Sequence, residues 1–162
     1  MGTMELLLTA PIKDHELVIG KWLGGFLFML TLLAITWVFP ITLNFMVEPG
    51  IDQGPLVTGY LGLILMVASL VGIGVGISSL FTNQIAAFFV SLAVVLLFWL
   101  VSPDASTTGG LGTQILTYMN FIDHYLSFYR GTIDLSDVVY YLSLTSVGLF
   151  LGTVSIEVRR WR

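Results

Sequence analysis

The chain has 162 residues, of which 56% are hydrophobic and only 10% charged, and its mean hydropathy is +0.95. Soluble domains carry about 25% charged residues, so the composition excludes a soluble globular protein and reads as an integral membrane protein built from helices. A net charge of −4 argues against a nucleic-acid partner, which needs clustered cations against phosphate, and the lack of cysteine excludes disulfides and thiolate metal sites.

Residues 2–22 read GTMELLLTAPIKDHELVIGKW and stand directly before a long uncharged run. Met4, Leu6, Leu7 and Leu8 offer an apolar plug, and Lys13, Asp14, His15 and Glu16 a polar rim, the anatomy of a protein–protein contact. The same segment reads equally well as an interfacial helix that only anchors the first span.

Crossing about 30 Å of hydrocarbon takes about 20 apolar residues, and four segments are predicted to do so. The first runs from Trp22 to Val47, with Pro40 kinking its far end. The second runs from Pro55 to Leu80. Within it Ala68, Gly72 and Gly76 recur every four residues, and Gly74 with Ser78 repeats the interval on an adjacent strip, so one face is stripped for close helix packing. The third, Ile85 to Val101, is near the short limit. The fourth, Val138 to Ile156, opens with Tyr140 and Tyr141 and precedes the basic tail EVRRWR.

Between the third and fourth spans, Leu111 to Arg130 carries Ile115, Met119, Ile122, Leu126 and Tyr129 at helical spacing. The expected form is one or two short helices in the outer interface or dipping into the outer leaflet, with Asp123 and Arg130 on the polar face and the aromatic residues, Tyr118, Phe121, Tyr125 and Phe128 among them, filling gaps against lipid or neighbouring spans. Gly131 ends the second of them, and Asp134 and Asp137 take the N-cap and N3 positions of the last span.

Lys13, Lys21, Arg159, Arg160 and Arg162 fall on one side of a four-span arrangement. Glu48, Asp52, Asp104, Asp123, Asp134 and Asp137 fall on the other, with Arg130 as its single cation. Cations near span ends stay cytoplasmic, so both termini are expected in the cytoplasm. Asp123, His124 and Ser127 are the residue types of acyl transfer. Adjacent helical residues project about 100° apart, however, so adjacency builds no relay and a hydrolase is set aside. His15 and His124 fall on opposite sides, which excludes a shared metal site. No span holds a buried ionisable residue, against an ion-coupled carrier; Thr31, Thr36, Asn44, Ser69 and Ser91 are left as groups able to line a path. A phosphate-cradling loop needs G-x-x-x-x-G-K-[ST], and Gly20-Lys21-Trp22 lacks both the earlier glycine and the hydroxyl, so energy must come from another chain.

The run ELLLTAPI from Glu5 to Ile12 and the run ELVIGKW from Glu16 to Trp22 resemble the permeases of ABC-2 type transporters, particularly the gliding-motility-associated subgroup. The stretches from Gly59 to Ala87 and from Phe128 to Leu144, and the tail EVRRWR, are similar to that family's later spans and end. The resemblance implies an all-α membrane fold with a cytoplasmic coupling segment at 1–21, three spans within 22–101 and an extracytoplasmic loop at 102–137. A fourth span follows at 138–156 and a basic tail at 157–162. It further implies an ABC ATP-binding subunit docked on Met4, Glu5, Leu7, Leu8, Pro11, Lys13 and Glu16, a second permease copy or related chain beside this one, no cofactor, and a place in the cell (inner) membrane. Such permeases usually carry six spans, so two further helices and an N-terminal cytoplasmic helix are expected to be missing. The function implied is that of an exporter permease subunit driven by ATP hydrolysis on the partner. The alternative is a non-transporting structural subunit of a larger membrane assembly.

Overall fold

The structure, a computed structural model, describes residues 13–100 and 118–160. All regular elements among them are helical: α1 (Asp14–Thr36), α2 (Val38–Met46), α3 (Gln53–Leu80), α4 (Gln84–Leu100), α5 (Phe121–Tyr129) and α6 (Leu135–Arg160). The joined α1–α2 segment, α3 and α6 are long and apolar enough to cross a membrane. With 17 residues, α4 sits at the lower end of the spanning range. Among the described residues the chain is therefore all-helical, with three to four membrane-capable helices.

The first long helix begins earlier than Trp22. Glu16 accepts a hydrogen bond from the Lys13 N–H at 3.1 Å, which satisfies one of the orphan donors of a helix start. From there α1 runs unbroken through Trp22 to Thr36, so residues 14–21 belong to the same rod as the apolar part. The break falls at Trp37, between α1 and α2. Pro40 has no N–H to give the carbonyl of Thr36 four residues back, and its ring crowds that carbonyl. The bend is held by Tyr60 of α3, whose hydroxyl lies 3.0 Å from the Thr36 hydroxyl and whose ring lies 5.0 Å from that of Trp37.

Helix α3 touches α1, α4, α5 and α6. Its start is capped by Asp52, which accepts from the Gly54 N–H at 3.0 Å. Its middle meets α6 with almost no side chain between them. A Cβ added at Gly76 would fall 2.5 Å from the carbonyl oxygen of Gly148, one at Gly72 would fall 3.2 Å from the Thr145 backbone, and one at Gly148 would collide with the Gly72 carbonyl. The buried positions of α6 (137, 140, 141, 145, 148 and 152) form the complementary stripe. Gly74 is not in this seam: a Cβ there would meet nothing within 4 Å. Four residues on, Ser78 faces α1 and accepts from the Lys21 ammonium at 3.2 Å.

Helix α1 docks where α3 and α6 are already in contact. Val18, 1% exposed, fills the notch at Gly152, its Cγ1 3.0 Å from where a Cβ would be. Trp22 donates its indole N–H to the Ala68 carbonyl at 2.9 Å. The Ser155 hydroxyl donates to the Ser79 carbonyl at 2.7 Å. The start of α1 and the ends of α3 and α6 thus gather at one end of the bundle, called basal below; the start of α3, α5 and the start of α6 form the distal end.

The seam makes a direct prediction. Gly76→Ala presses a methyl onto the Gly148 backbone and is expected to cost about 1–3 kcal/mol by overpacking, seen as a lower thermal midpoint in detergent. Gly74→Ala faces open space and should leave the midpoint unchanged or raise it, since alanine is the better helix former; equal losses from both would dissolve the distinction.

Candidate functional site

The most elaborate polar construction among the described residues lies at the distal end, where α5 is clamped between α3 and α6. Asn120 starts α5 by accepting from the Ile122 N–H at 2.9 Å. Gly131 ends it at φ +88°, with its N–H on Phe128 and the Thr132 N–H on Ser127, the paired bonds of a Schellman cap. That left-handed turn is open to glycine at no steric cost.

The face that α5 buries carries two of the aromatic residues. Phe121, His124 and Phe128 point inward, whereas Leu126 is 37% and Tyr129 66% exposed; Ile115 lies outside the described residues. The reason is the partner surface. Gly62 of α3 leaves a gap that accepts the Phe128 ring, 2.7 Å from where a Cβ would be, and the Thr58 hydroxyl donates to the Phe128 carbonyl at 2.8 Å. Gly62 lies nine residues into α3, about 14 Å along its axis at 1.5 Å per residue, so α5 is packed into the distal half of the bundle. Phe121 adds an edge-on contact with Phe98 of α4 at 5.4 Å.

Helix α6 closes the other side with two phenols and a carboxylate. Tyr141, fully buried, donates to the Phe121 carbonyl at 2.8 Å, and Tyr140 donates to the Met119 carbonyl at 2.7 Å. His124 stacks on the Tyr140 ring at 3.9 Å. Its Nδ1 lies 2.6 Å from Asp137 Oδ1 and its Nε2 lies 2.8 Å from the Tyr118 carbonyl. Beside this cluster, burial together with Tyr129 and Tyr60 pushes the Tyr125 phenol above its ordinary range.

His124 therefore pairs with Asp137, thirteen residues on, while Asp123 is exposed. Both ring nitrogens are occupied by acceptors, which leaves neither free to take a proton from a nucleophile. The expectation of no buried ionisable residue in a span needs correction here. The fourth helix starts at Leu135, three residues ahead of the apolar run from Val138, and carries Asp137 in its first turn at 5% exposure. The signal was readable as a stripe: Asp137, Tyr140, Tyr141, Thr145, Gly148 and Gly152 share one face of the helix.

Of the residues assigned to the coupling surface, Met4, Glu5, Leu7, Leu8 and Pro11 lie outside the described residues. Lys13 and Glu16 are exposed at the start of α1. Ala68 is buried with its carbonyl under Trp22, Gly72 and Gly76 lie in the α3–α6 seam, and Gly74 and Ser78 lie off it. Val18, with no charge or motif to mark it, drew no notice in the sequence.

The buried phenol bond predicts that Tyr141→Phe, which leaves the Phe121 carbonyl unpartnered, costs about 1–3 kcal/mol, measured by denaturant titration in micelles. Tyr129→Phe, at an exposed position of α5, is the matched control and should be silent.

Among known proteins, the model of the family described as ABC-2 family transporter protein matches residues 1–156. No curated protein and no solved structure matches the chain.

Proposed function

Since the chain belongs to the ABC-2 transporter family and is a multi-pass membrane permease of that family, we propose that it is the membrane subunit of an exporter, driven by ATP hydrolysis on a separate ABC subunit. The match across residues 1–156 carries this reading. The family is a membrane transporter component that is not itself catalytic and normally works with an ATP-binding subunit. The resemblance to the gliding-motility-associated subgroup belongs to the same proposal.

In this reading the segment Met4 to Glu16 is the coupling contact, with Met4, Leu7 and Leu8 as its apolar centre and Glu5, Lys13 and Glu16 at its rim. The basal end supports such a role. Because α1 is one rod from Asp14 onward, a displacement of the preceding segment acts on Val18 in the Gly152 notch and on Lys21 at Ser78. The α3–α6 pair would thus receive it within two turns of the contact. A second permease copy or related chain completes the path. Both termini are cytoplasmic in this reading, in the inner membrane, because the exposed Lys13 and Lys21 mark the basal end and Glu48, Asp52 and Asp134 the distal one.

The test is co-purification in mild detergent with the genes of its chromosomal neighbourhood co-expressed, comparing wild type with a Glu5→Arg, Leu7→Asp double variant. Wild type should retain an ATP-binding cassette subunit, and the variant should lose it with an unchanged thermal midpoint. Recovery of wild type without any ATPase would favour a structural subunit instead.

A further inference from the structure

We propose that His124 and Asp137 form a buried proton-binding site whose occupancy fastens α5 to the head of α6. The argument is a donor count. Asp137 Oδ1 and the Tyr118 carbonyl are both acceptors, 2.6 and 2.8 Å from the two ring nitrogens. A backbone carbonyl can only accept, and an ionised carboxylate can only accept. Making both bonds at once therefore takes one proton more than a neutral imidazole and a carboxylate hold between them. An imidazolium facing a carboxylate meets that count, with one ring N–H for each acceptor.

The surroundings make that proton matter. The other carboxylate oxygen, Oδ2, is buried without a partner, so the ring is the group that compensates the Asp137 charge. When the proton leaves to bulk water, one of the two bonds must be lost, and a buried carboxylate is left beside a neutral ring. The titratable groups facing His124 are Asp137 and Tyr140 from α6 and Tyr118 from the preceding turn. From α3 there is Tyr60, which meets Tyr125, and α4 carries no titratable side chain. On α5 itself, Asp123 and Arg130 are exposed to solvent. No other cation is in contact with Asp137 among the described residues.

The consequence is directional. While the proton is bound, the ring joins α5 and the Tyr118 carbonyl to the first turn of α6; as pH rises and the proton is lost, one of the two bonds goes and that tie is weakened. Phe128 in its Gly62 gap and the Tyr141 bond to Phe121 do not titrate with it, so its loss loosens α5 rather than unfolding the bundle. The site stands independently of any ATP-binding partner.

The chain contains two histidines, and His15 is exposed at the start of α1. Full-length protein labelled with 15N-histidine in detergent therefore shows two imidazoles, assigned with a His15→Gln variant. Nitrogen spectra count the ring N–H protons of His124 between about pH 5 and pH 10, the range that brackets histidine titration. Hydrogen exchange of the α5 amides, corrected for intrinsic rate, is followed in parallel. Two ring protons at the acidic end, falling to one with an accompanying loss of α5 protection of about tenfold or more, is the expected result. In Asp137→Asn the protection should no longer follow pH. A proton count that stays constant across the range, or α5 protection that ignores its change, overturns the proposal. The wild-type titration decides the matter even where the variant does not fold.

Discussion

Everything in this bundle depends on the absence of two pairs of side chains. In lipid, apolar surfaces gain nothing by leaving the solvent, so helices associate through close dispersion contact and through polar bonds. Gly72 and Gly76 on α3 and Gly148 on α6 let two backbones touch where a Cβ would hold them apart, and Gly152 of α6 brings no side chain into the groove beside them. Once α3 and α6 are locked, their common groove fixes the place of the other elements. Val18 of α1 enters the groove at Gly152, and Phe128 of α5 enters α3 at Gly62.

Polar groups then set the register of these dockings. At the basal end the bonds are few: Lys21 to Ser78, Ser155 to the Ser79 carbonyl, and Trp22 to the Ala68 carbonyl. At the distal end they are dense and buried, with Tyr140, Tyr141 and His124 each satisfied by a carbonyl of the chain between Tyr118 and Phe121. Buried polar groups are costly when unpaired. A cluster of this kind therefore holds one geometry strongly and resists slippage, whereas the α3–α6 seam is held by close backbone contact and, at its basal end, by the Ser155 bond to Ser79.

In the coupling reading proposed above, a displacement delivered to the first turns of α1 meets a basal end with few polar bonds and a distal end with many. The break at Trp37, set by Pro40, separates α2 from the stiff part of α1, so the far end of the first segment need not follow its base.

Apolar run length sufficed to locate the membrane-capable helices, because spanning hydrocarbon is a constraint on consecutive residues. Local chemistry likewise marked Pro40, the Gly131 cap and the start of α6 near Asp134. What periodicity left undetermined was which face of α5 is buried. Ile122, Leu126 and Tyr129 are as apolar as Phe121 and Phe128, and in a membrane protein both sides of a helix meet apolar surroundings, so periodicity carries no sign. Only the gap at Gly62 selects which face is buried. The spacing of Ala68, Gly72 and Gly76 is visible along the chain, but Thr145, Gly148 and Gly152 as their counterpart are seventy residues away and depend on register. The sequence by itself determined the class of protein and the presence of its long apolar helices, since each is a property of contiguous residues. The pairing of His124 with Asp137 in place of its neighbour Asp123, and the seating of Val18 in the Gly152 notch, were decided only by the tertiary structure, because both depend on how α5 and α1 are rotated against α6.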